Sequence, residues 1–596
     1  MFPTARRTRG TSRLTLALSL LFVGWQTAPA VLTDPTGTTA ERTIGPPGPR
    51  QPGVYQQLVE QPGWPVVVRE DMTAADPERH RRRRALVSFV HLTDMHITDA
   101  QSPTRNPFAR QFGLDFRTDF RNQEALTLQV ADSMVQRINA LQGAPATGAP
   151  IDFVVTTGDN GDERQINELR SFIGLLDGSP IVADTSGRGY VGVQDDFVLP
   201  GFEEIYDLYW HPAPPPAGIQ PDVYKREHGF PEYPALLRAA TLDFVATGLE
   251  VPWYTCNGNH DVSLVGYFPA QEEQNALYWN PLGTGQVPGL GSVMFLDLPP
   301  GMDIGTFEDC LFSPDVSCVS QLFDPARPHR FIPANPDRAQ YLTEEFLQLH
   351  FDSPASPGPV GHGLTRENLD DQTLYYTFDM APEVLGIMMD TVNQSGRDSG
   401  SIGTIQAAWL EEQLEANSSR YFDTSGEIVT TSNEDKLIVL FSHHNLLTLT
   451  NASSTPGDPD PDKLLASDIE KLLLRFPNVI LWLNGHSHVN RVWPHRNFKS
   501  NTPLQTQFWE VNTASHVDFP QLARTIEIVD NDDGTLSIFG VMLDHLAPPR
   551  PQQGAYSLLD LASISREVAA NDPDFFLDFQ RGAPADRNVE LLIDRP

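Results

Sequence analysis

Five short segments carry the residue types that chemistry needs, and each directly follows an apolar run. They are Asp94-Met95-His96, Gly158-Asp159, Gly258-Asn259-His260-Asp261, His443-His444 and Gly485-His486-Ser487-His488. Carboxylate, amide and imidazole are the ligand types that hold a pair of catalytic transition metals. One such segment means little: an isolated Asp-x-His is mostly a loop coincidence, and Gly-Asp after a strand is usually a turn. Five in this order, each at the end of an expected strand, are hard to obtain by accident.

The elements that must position them follow from hydrophobic periodicity. Strands are expected at residues 86–92, 151–157, 251–256, 374–378, 384–389, 437–441 and 479–483. A helix fits 123–141, with Leu126, Val130, Met134 and Ile138 on one face, and another fits 162–176, with Ile166, Leu169, Ile173 and Leu176. Further helices fit 405–414 and 464–475. Strand–helix alternation argues for a layered α/β fold. Ligand-type residues at the carboxyl ends of strands match where open α/β sheets place their sites.

Two stretches, 178–245 and 262–370, break the rhythm and are rich in Pro, Gly and aromatics. They are expected as long insertions at the strand-end face, walling the site; Tyr206, Tyr209 and Trp210 lie in the first. Residues 31–84 are a Pro- and Arg-rich segment expected to run over the surface. Residues 85–545 form the main domain, and 546–596 a C-terminal tail with one helix-like segment at 556–570.

With 596 residues, 40% of them hydrophobic, the chain can bury a large core but is too long for one simple unit. The first 30 residues stand apart. Arg6, Arg7, Arg9 and Arg13 make a positive region, 14–25 a short apolar run, and Ala28-Pro29-Ala30 a small-residue cleavage site. This is an export signal, whose apolar run is shorter than the ~20 residues of a membrane span. Arg6-Arg7 points to a twin-arginine route, yet Thr8-Arg9-Gly10 follows where an apolar residue is expected, so the general secretory route stays open. The mature chain is expected outside the cytoplasm: secreted, periplasmic or cell-wall associated. No later segment is apolar enough to span a membrane.

Loss of the four signal arginines takes the formal net charge from −35 to −39. So acidic a surface repels phosphate backbones at long range, which excludes long nucleic acids as partners but not a small phosphorylated substrate held by metal ions. The plainest meaning of the charge is solubility. Of three cysteines, Cys310 and Cys318 sit close together in an exported chain and are expected to pair, whereas Cys256 is expected as a buried apolar filler.

The five segments resemble, in order, the pattern of the calcineurin-like metallophosphoesterase superfamily, and two more features match. Residues 384–390 resemble its apolar strand ending in Asp, and Gln406-Ala407-Ala408-Trp409-Leu410-Glu411 resembles its Gln-x-x-Trp-Leu helix. The resemblance spans roughly residues 85–545 and is greatest to an exported, long-insert bacterial branch. It implies a layered β-sandwich core flanked by helices, and two divalent transition metals (Mn, Fe, Zn or Co). It also implies that Asp94, His96 and His488 hold one metal, that Asn259, His443 and His486 hold the other, and that Asp159 bridges both. His260 then faces the substrate, to stabilise developing charge or protonate the leaving group. Two such ions about 3.5–4 Å apart clamp a phosphate oxygen and acidify a bridging water, so phosphate mono- or diesters are cleaved by hydroxide attack.

Asp261 is assigned the task of fixing the tautomer of His260. His443 is taken over His444, which is left to line the pocket, and His91 and His516 are taken as packed histidines. Purple acid phosphatases carry a Tyr three residues after the bridging Asp; Asp162 stands there, so no tyrosinate–iron chromophore is expected. Two other functions compete: an exported binding or surface protein that keeps the fold without catalysis, and a hydrolase of non-phosphate esters. Metal analysis tests the first and a substrate panel the second. Nothing in the sequence selects the oligomeric state.

Overall fold

The computed structural model describes residues 30–596, apart from 52, 270, 271, 288, 314, 355, 456, 457, 459, 498–503, 553, 555, 575 and 576. The export signal expected at 1–30 lies outside the described residues except for its last position.

Two stacked sheets form the core. The first is mixed and contains, in chain order, β1 (Val67–Arg69), β2 (Arg84–Leu92), β3 (Phe153–Thr156), β4 (Trp253–Tyr254), β11 (Leu522–Asp530), β12 (Thr535–Asp544) and β13 (Val589–Asp594). Their spatial order is β1-β13-β12-β11-β2-β3-β4, with β2, β3 and β4 parallel. The second contains β5 (Tyr376–Ala381), β6 (Val384–Met388), β7 (Leu437–Phe441), β8 (Val479–Asn484), β9 (Arg491–Arg496) and β10 (Gln507–Asn512), in the order β5-β6-β7-β8-β10-β9. Here β6, β7, β8 and β10 are parallel.

In the second sheet β6, β7 and β8 are buried along their whole length because both faces are covered, hence their apolar runs. Between the sheets, Phe89 meets Phe441 edge-on at 5.9 Å and Phe153 meets Phe378 at 5.9 Å. Helices α1 (Thr127–Asn139) and α2 (Ile166–Asp177) add Met134, Val135, Leu169 and Phe172 to the same core. On the far side of the second sheet, α3 (Thr404–Ala416) and α4 (Ala466–Leu473) bury Leu410, Leu414, Ile469 and Leu473 against Ile438, Leu440 and Trp482. Each such side chain contributes ~1.5–3 kcal/mol by leaving water. The fold is thus a layered α/β sandwich flanked by helices, as expected.

Three expectations are corrected. The second helix begins at Ile166 rather than 162, because residues 162–165 are drawn into the loop beneath the site; Arg164 is left-handed (φ 57°) and Glu168 caps the helix. Residues 546–596 are not an appendage: β13 pairs with β12 inside the first sheet, and α5 (Leu558–Asn571) packs Ala562 on Val130 of α1. Residues 31–84 likewise contribute β1 to the sheet edge.

The insertions build their own apolar clusters. Tyr206 stacks on His211 at 3.7 Å, whereas Trp210 is buried with Leu126 and with Leu561 and Ile564 of α5, and Tyr209 with Phe120 and the second insertion's Leu296. In the second, Cys310 and Cys318 form a disulfide, while Cys256 is free and buried. No helix among the described residues is long and apolar enough to cross a membrane.

Candidate metal centre

The site residues lie just beyond the carboxyl ends of parallel strands: Asp94 and His96 after β2, Asp159 after β3, Asn259 and His260 a short loop after β4, His443 after β7, and His486 and His488 after β8. Asp94, His96, Asp159, His486 and His488 have left-handed φ values between 44° and 66°. That conformation is costly for a residue with a Cβ and recurs where function demands it. It folds each chain segment back across the strand ends, where the loops lock together. Asp94 N donates to Gly158 O at 3.0 Å and His96 N to Asp159 O at 2.9 Å. His486 N donates to the Asp94 carboxylate at 3.1 Å. The motif glycines permit this approach: a Cβ at Gly485 would lie 1.9 Å from Thr93 Oγ1, and one at Gly258 2.2 Å from Asp159 Oδ1.

The expected ligands converge in two adjoining groups, all buried except His486 and His488, which are partly exposed. His443 Nε2 lies 2.9 Å from Asn259 Oδ1, 3.2 Å from Asp159 Oδ2 and 3.3 Å from His486 Nδ1. Asn259 Oδ1 lies 3.1 Å from His486 Nδ1. In the second group His488 Nε2 lies 3.1 Å from Asp94 Oδ1, and His96 Nε2 3.5 Å from Asp159 Oδ2. Asp159 Oδ2 is common to both groups. Two donors each ~2.1 Å from one ion sit roughly 3.0–3.5 Å apart, which is the spacing observed.

The hydrogen bonds on the far side of each ring test the fit. His96 Nδ1 donates to Asp162 Oδ1 (2.8 Å), His443 Nδ1 to Thr157 O (2.8 Å) and His488 Nδ1 to Asp518 Oδ2 (2.6 Å). In its neutral form each ring turns an Nε2 lone pair toward carboxylate or amide oxygen. His96 Nε2 is buried with no hydrogen-bond partner at all. Lone pairs facing lone pairs in such a pocket need a proton or a metal cation between them. The residues present fit two cations of the size and hardness of first-row transition metals.

The electrostatics agree. Burial opposes the charged form of His488, yet Asp94 and Asp518 raise it to about 10; burial likewise opposes charge on His443, yet Asp159 raises it to about 9. Without metal, protons neutralise the acids here. Burial and the neighbouring His260 ring lower His96 to about 4, keeping it neutral and ready to ligate.

His260 holds no place in either group. Its backbone N donates to Asp159 Oδ1 at 2.9 Å and its Nδ1 to the Asp162 carbonyl at 2.8 Å. Its ring stands edge-on to His96 at 4.5 Å, with the side chain 17% exposed. The tautomer role expected of Asp261 is therefore corrected: that carboxylate accepts from Gly258 N, Asn160 N and Gly161 N, and braces two ligand loops. Burial and the nearby Asp159 charge push it up to about 6.

Asp162 is what sequence reasoning missed. Its carboxylate orients His96, its carbonyl orients His260, and its second oxygen takes Arg105. Burial works against its charge, but Arg105 and His96 hold it well below the usual carboxylate range. Asp518 does the same for His488, backed by Arg121 Nε at 2.9 Å. Only the positions of these acids in the fold reveal them.

His444 brings a nitrogen within 4.8 Å of His443 and His486. Both its ring nitrogens are engaged, however, with Thr391 Oγ1 at 3.0 Å and Asp398 O at 2.8 Å, so the geometry favours His443 as the donor. His91 is a packed strand histidine between Thr513 and Thr157, and His516 is buried beside the site.

No family model and no curated protein matches this sequence. Among solved structures, a dimetal phosphatase from Danio rerio aligns at 11% identity over 78% of this chain and 100% of its own, with a TM-score of 0.31. A structure of PhoD aligns at 10% identity over 86% of this chain and 80% of its own, with a TM-score of 0.24. At these values the superpositions carry no argument, and the chemistry rests on the geometry above.

Proposed function

We propose that this chain is a metal-dependent phosphoric ester hydrolase of the calcineurin-like kind, exported from the cytoplasm and acting on small phosphate mono- or diesters. The observation that carries the reading is the convergence of donor atoms from His443, Asn259, His486, Asp94, His96 and His488 around the shared Asp159 Oδ2. Asp94, His96 and His488 would hold one ion and Asn259, His443 and His486 the other. Bound there, the ions supply Lewis-acid neutralisation of phosphoryl oxygens and a more acidic attacking water. The chain's own groups do the rest. Asp162, Thr157 and Asp518 hold the ligand rings in one tautomer. Because the Asp162 carbonyl occupies Nδ1 of His260, Nε2 is the atom that exchanges a proton with the leaving group. The acidic surface favours small substrates over polyanions.

The test is turnover of alkyl and aryl phosphate monoesters and diesters by protein reconstituted separately with Mn, Fe, Co and Zn. His260→Ala should keep both ions and the fold and lose ~10²–10⁴ in rate on alkyl phosphates. It should lose far less on nitrophenyl phosphate, whose leaving group needs no proton. Loss of an ion in His260→Ala would make His260 a ligand and break this division of roles.

A further inference from the structure

The loop after Asp261 is built in a way that packing alone does not call for. Leu264 and Phe268 exchange backbone hydrogen bonds at 2.9 and 3.0 Å, and Tyr267 N donates to Leu264 O at 3.0 Å. The two residues between are both left-handed, Val265 at φ 48° and Gly266 at φ 69°. Consecutive positive φ values make a type I′ turn, whose first central position favours Asn, Asp or Gly. A β-branched valine there is a genuine outlier, and such strain persists only where the surroundings over-determine it. They do: Leu264 and Phe268 are buried with Trp279, Phe307, Leu311 and Cys310 in the core of the second insertion.

The strained turn delivers Gly266 to the site. A Cβ on Gly266 would lie 2.2 Å from Cδ2, 2.3 Å from Nε2 and 2.7 Å from Cγ of His260, so bare backbone packs against the face of the ring. The opposite end of the ring is held by the Asp162 carbonyl. The Gly266 carbonyl also accepts from Asn259 Nδ2 at 2.9 Å, which turns Asn259 Oδ1 toward His443 and His486. One residue thus sets both a ligand amide and the imidazole beside it.

We propose that Gly266 is a positioning residue. It seats the His260 ring by having no side chain and fixes the Asn259 amide through its carbonyl, with the second insertion holding it in place through Leu264 and Phe268. The inference rests on the reading of His260 as the group facing the leaving group.

The test is a double-mutant cycle of Gly266→Ala and His260→Ala, read in two ways. The first readout is the denaturation midpoint, which needs no turnover. Gly266→Ala should be destabilising both through its left-handed Cβ and through collision with the ring. With His260→Ala only the first remains, so the double variant should be more stable than the summed single losses. The second readout is kcat on an alkyl phosphate. A ring displaced by about 1 Å should cost ~10²-fold in the wild-type background, with no further loss in the His260→Ala background. Should Gly266→Ala fail to fold, Gly266→Asn carries the same Cβ with better tolerance of the left-handed region and takes its place. Additive stability losses, or equal rate losses in both backgrounds, would overturn the proposal. If the wild-type protein hydrolyses no phosphate ester with any ion, the functional reading falls, and the stability cycle still decides whether Gly266 seats the ring.

Discussion

Asp162→Asn isolates the orientation of a ligand from the ligand itself. The amide has the shape of the carboxylate but cannot serve both of its partners. If its oxygen accepts from His96 Nδ1, its NH2 faces the N–H groups of Arg105; if it flips, two donors meet at His96. Removing a group that orients a metal ligand costs 10–100-fold in affinity, or about 1.4–2.7 kcal/mol. Stability should fall too. Taking one partner from a buried ion pair costs ~3–5 kcal/mol, and because Arg105 keeps Glu124 at 2.9 Å the loss should lie near the low end, about 3 kcal/mol. The assay is competition of the reconstituted protein against a chromophoric chelator, with ions counted per chain. The variant should release one ion at 10–100-fold lower chelator strength and retain the one assigned to Asn259, His443 and His486. Wild-type affinity at both positions, or preferential loss of the other ion, would refute the reasoning.

Asp159→Ala should abolish both ions while Asn259→Ala weakens one, as elemental analysis of dialysed protein will show; equal small losses would contradict a shared Asp159. Thiol labelling of denatured, unreduced protein should find Cys256 alone, since Cys310 and Cys318 are paired. His495 donates to Glu470 and Glu510 at 2.8 and 2.9 Å, and although burial opposes its charge these carboxylates raise its pKa. A raised folded pKa gives stability that is present below pH 6.5 and lost as pH rises through the folded value. His495→Gln should therefore lower the denaturation midpoint more at pH 6 than at pH 10. Val265→Gly should stabilise the fold by at most about 1 kcal/mol, the relief of the left-handed valine less the packing it gives the insertion core, read as a shift in the denaturation midpoint.

The ligands were legible because most follow a strand whose end is buried on both faces and therefore appears as an apolar run. The strands at 86–92, 437–441 and 479–483 were placed within two residues of their observed ends for the same reason. The later strands were not, because their buried positions are mixed. In β11, Arg524 is buried against Asn490 and the Asp586 carbonyl, and Glu527 against the backbone of Ala146 and Thr147. Partners that distant in sequence leave no periodic trace. Asp162 stood in view as the residue in place of a family tyrosine, yet its bonds to His96 and His260 arise only when three loops meet. Asp261 misled by adjacency: in the tight 3-10 turn at Asn259–Asp261, neighbouring side chains point apart.

The left-handed ligand residues set stability against chemistry. Asp94, His96, Asp159, His486 and His488 each hold a backbone conformation that glycine would adopt freely and that costs a residue with a Cβ roughly 1 kcal/mol or more. They also gather carboxylates and lone pairs that repel one another until a cation separates them. Glycine at these positions would relax the backbone, but at the acids it would also strip the bonds that Asp94 accepts from His486 N and Asp159 from His260 N. The two effects oppose each other, so substitutions screened for thermal tolerance alone would sort these five positions by the bonds each side chain makes rather than by backbone strain.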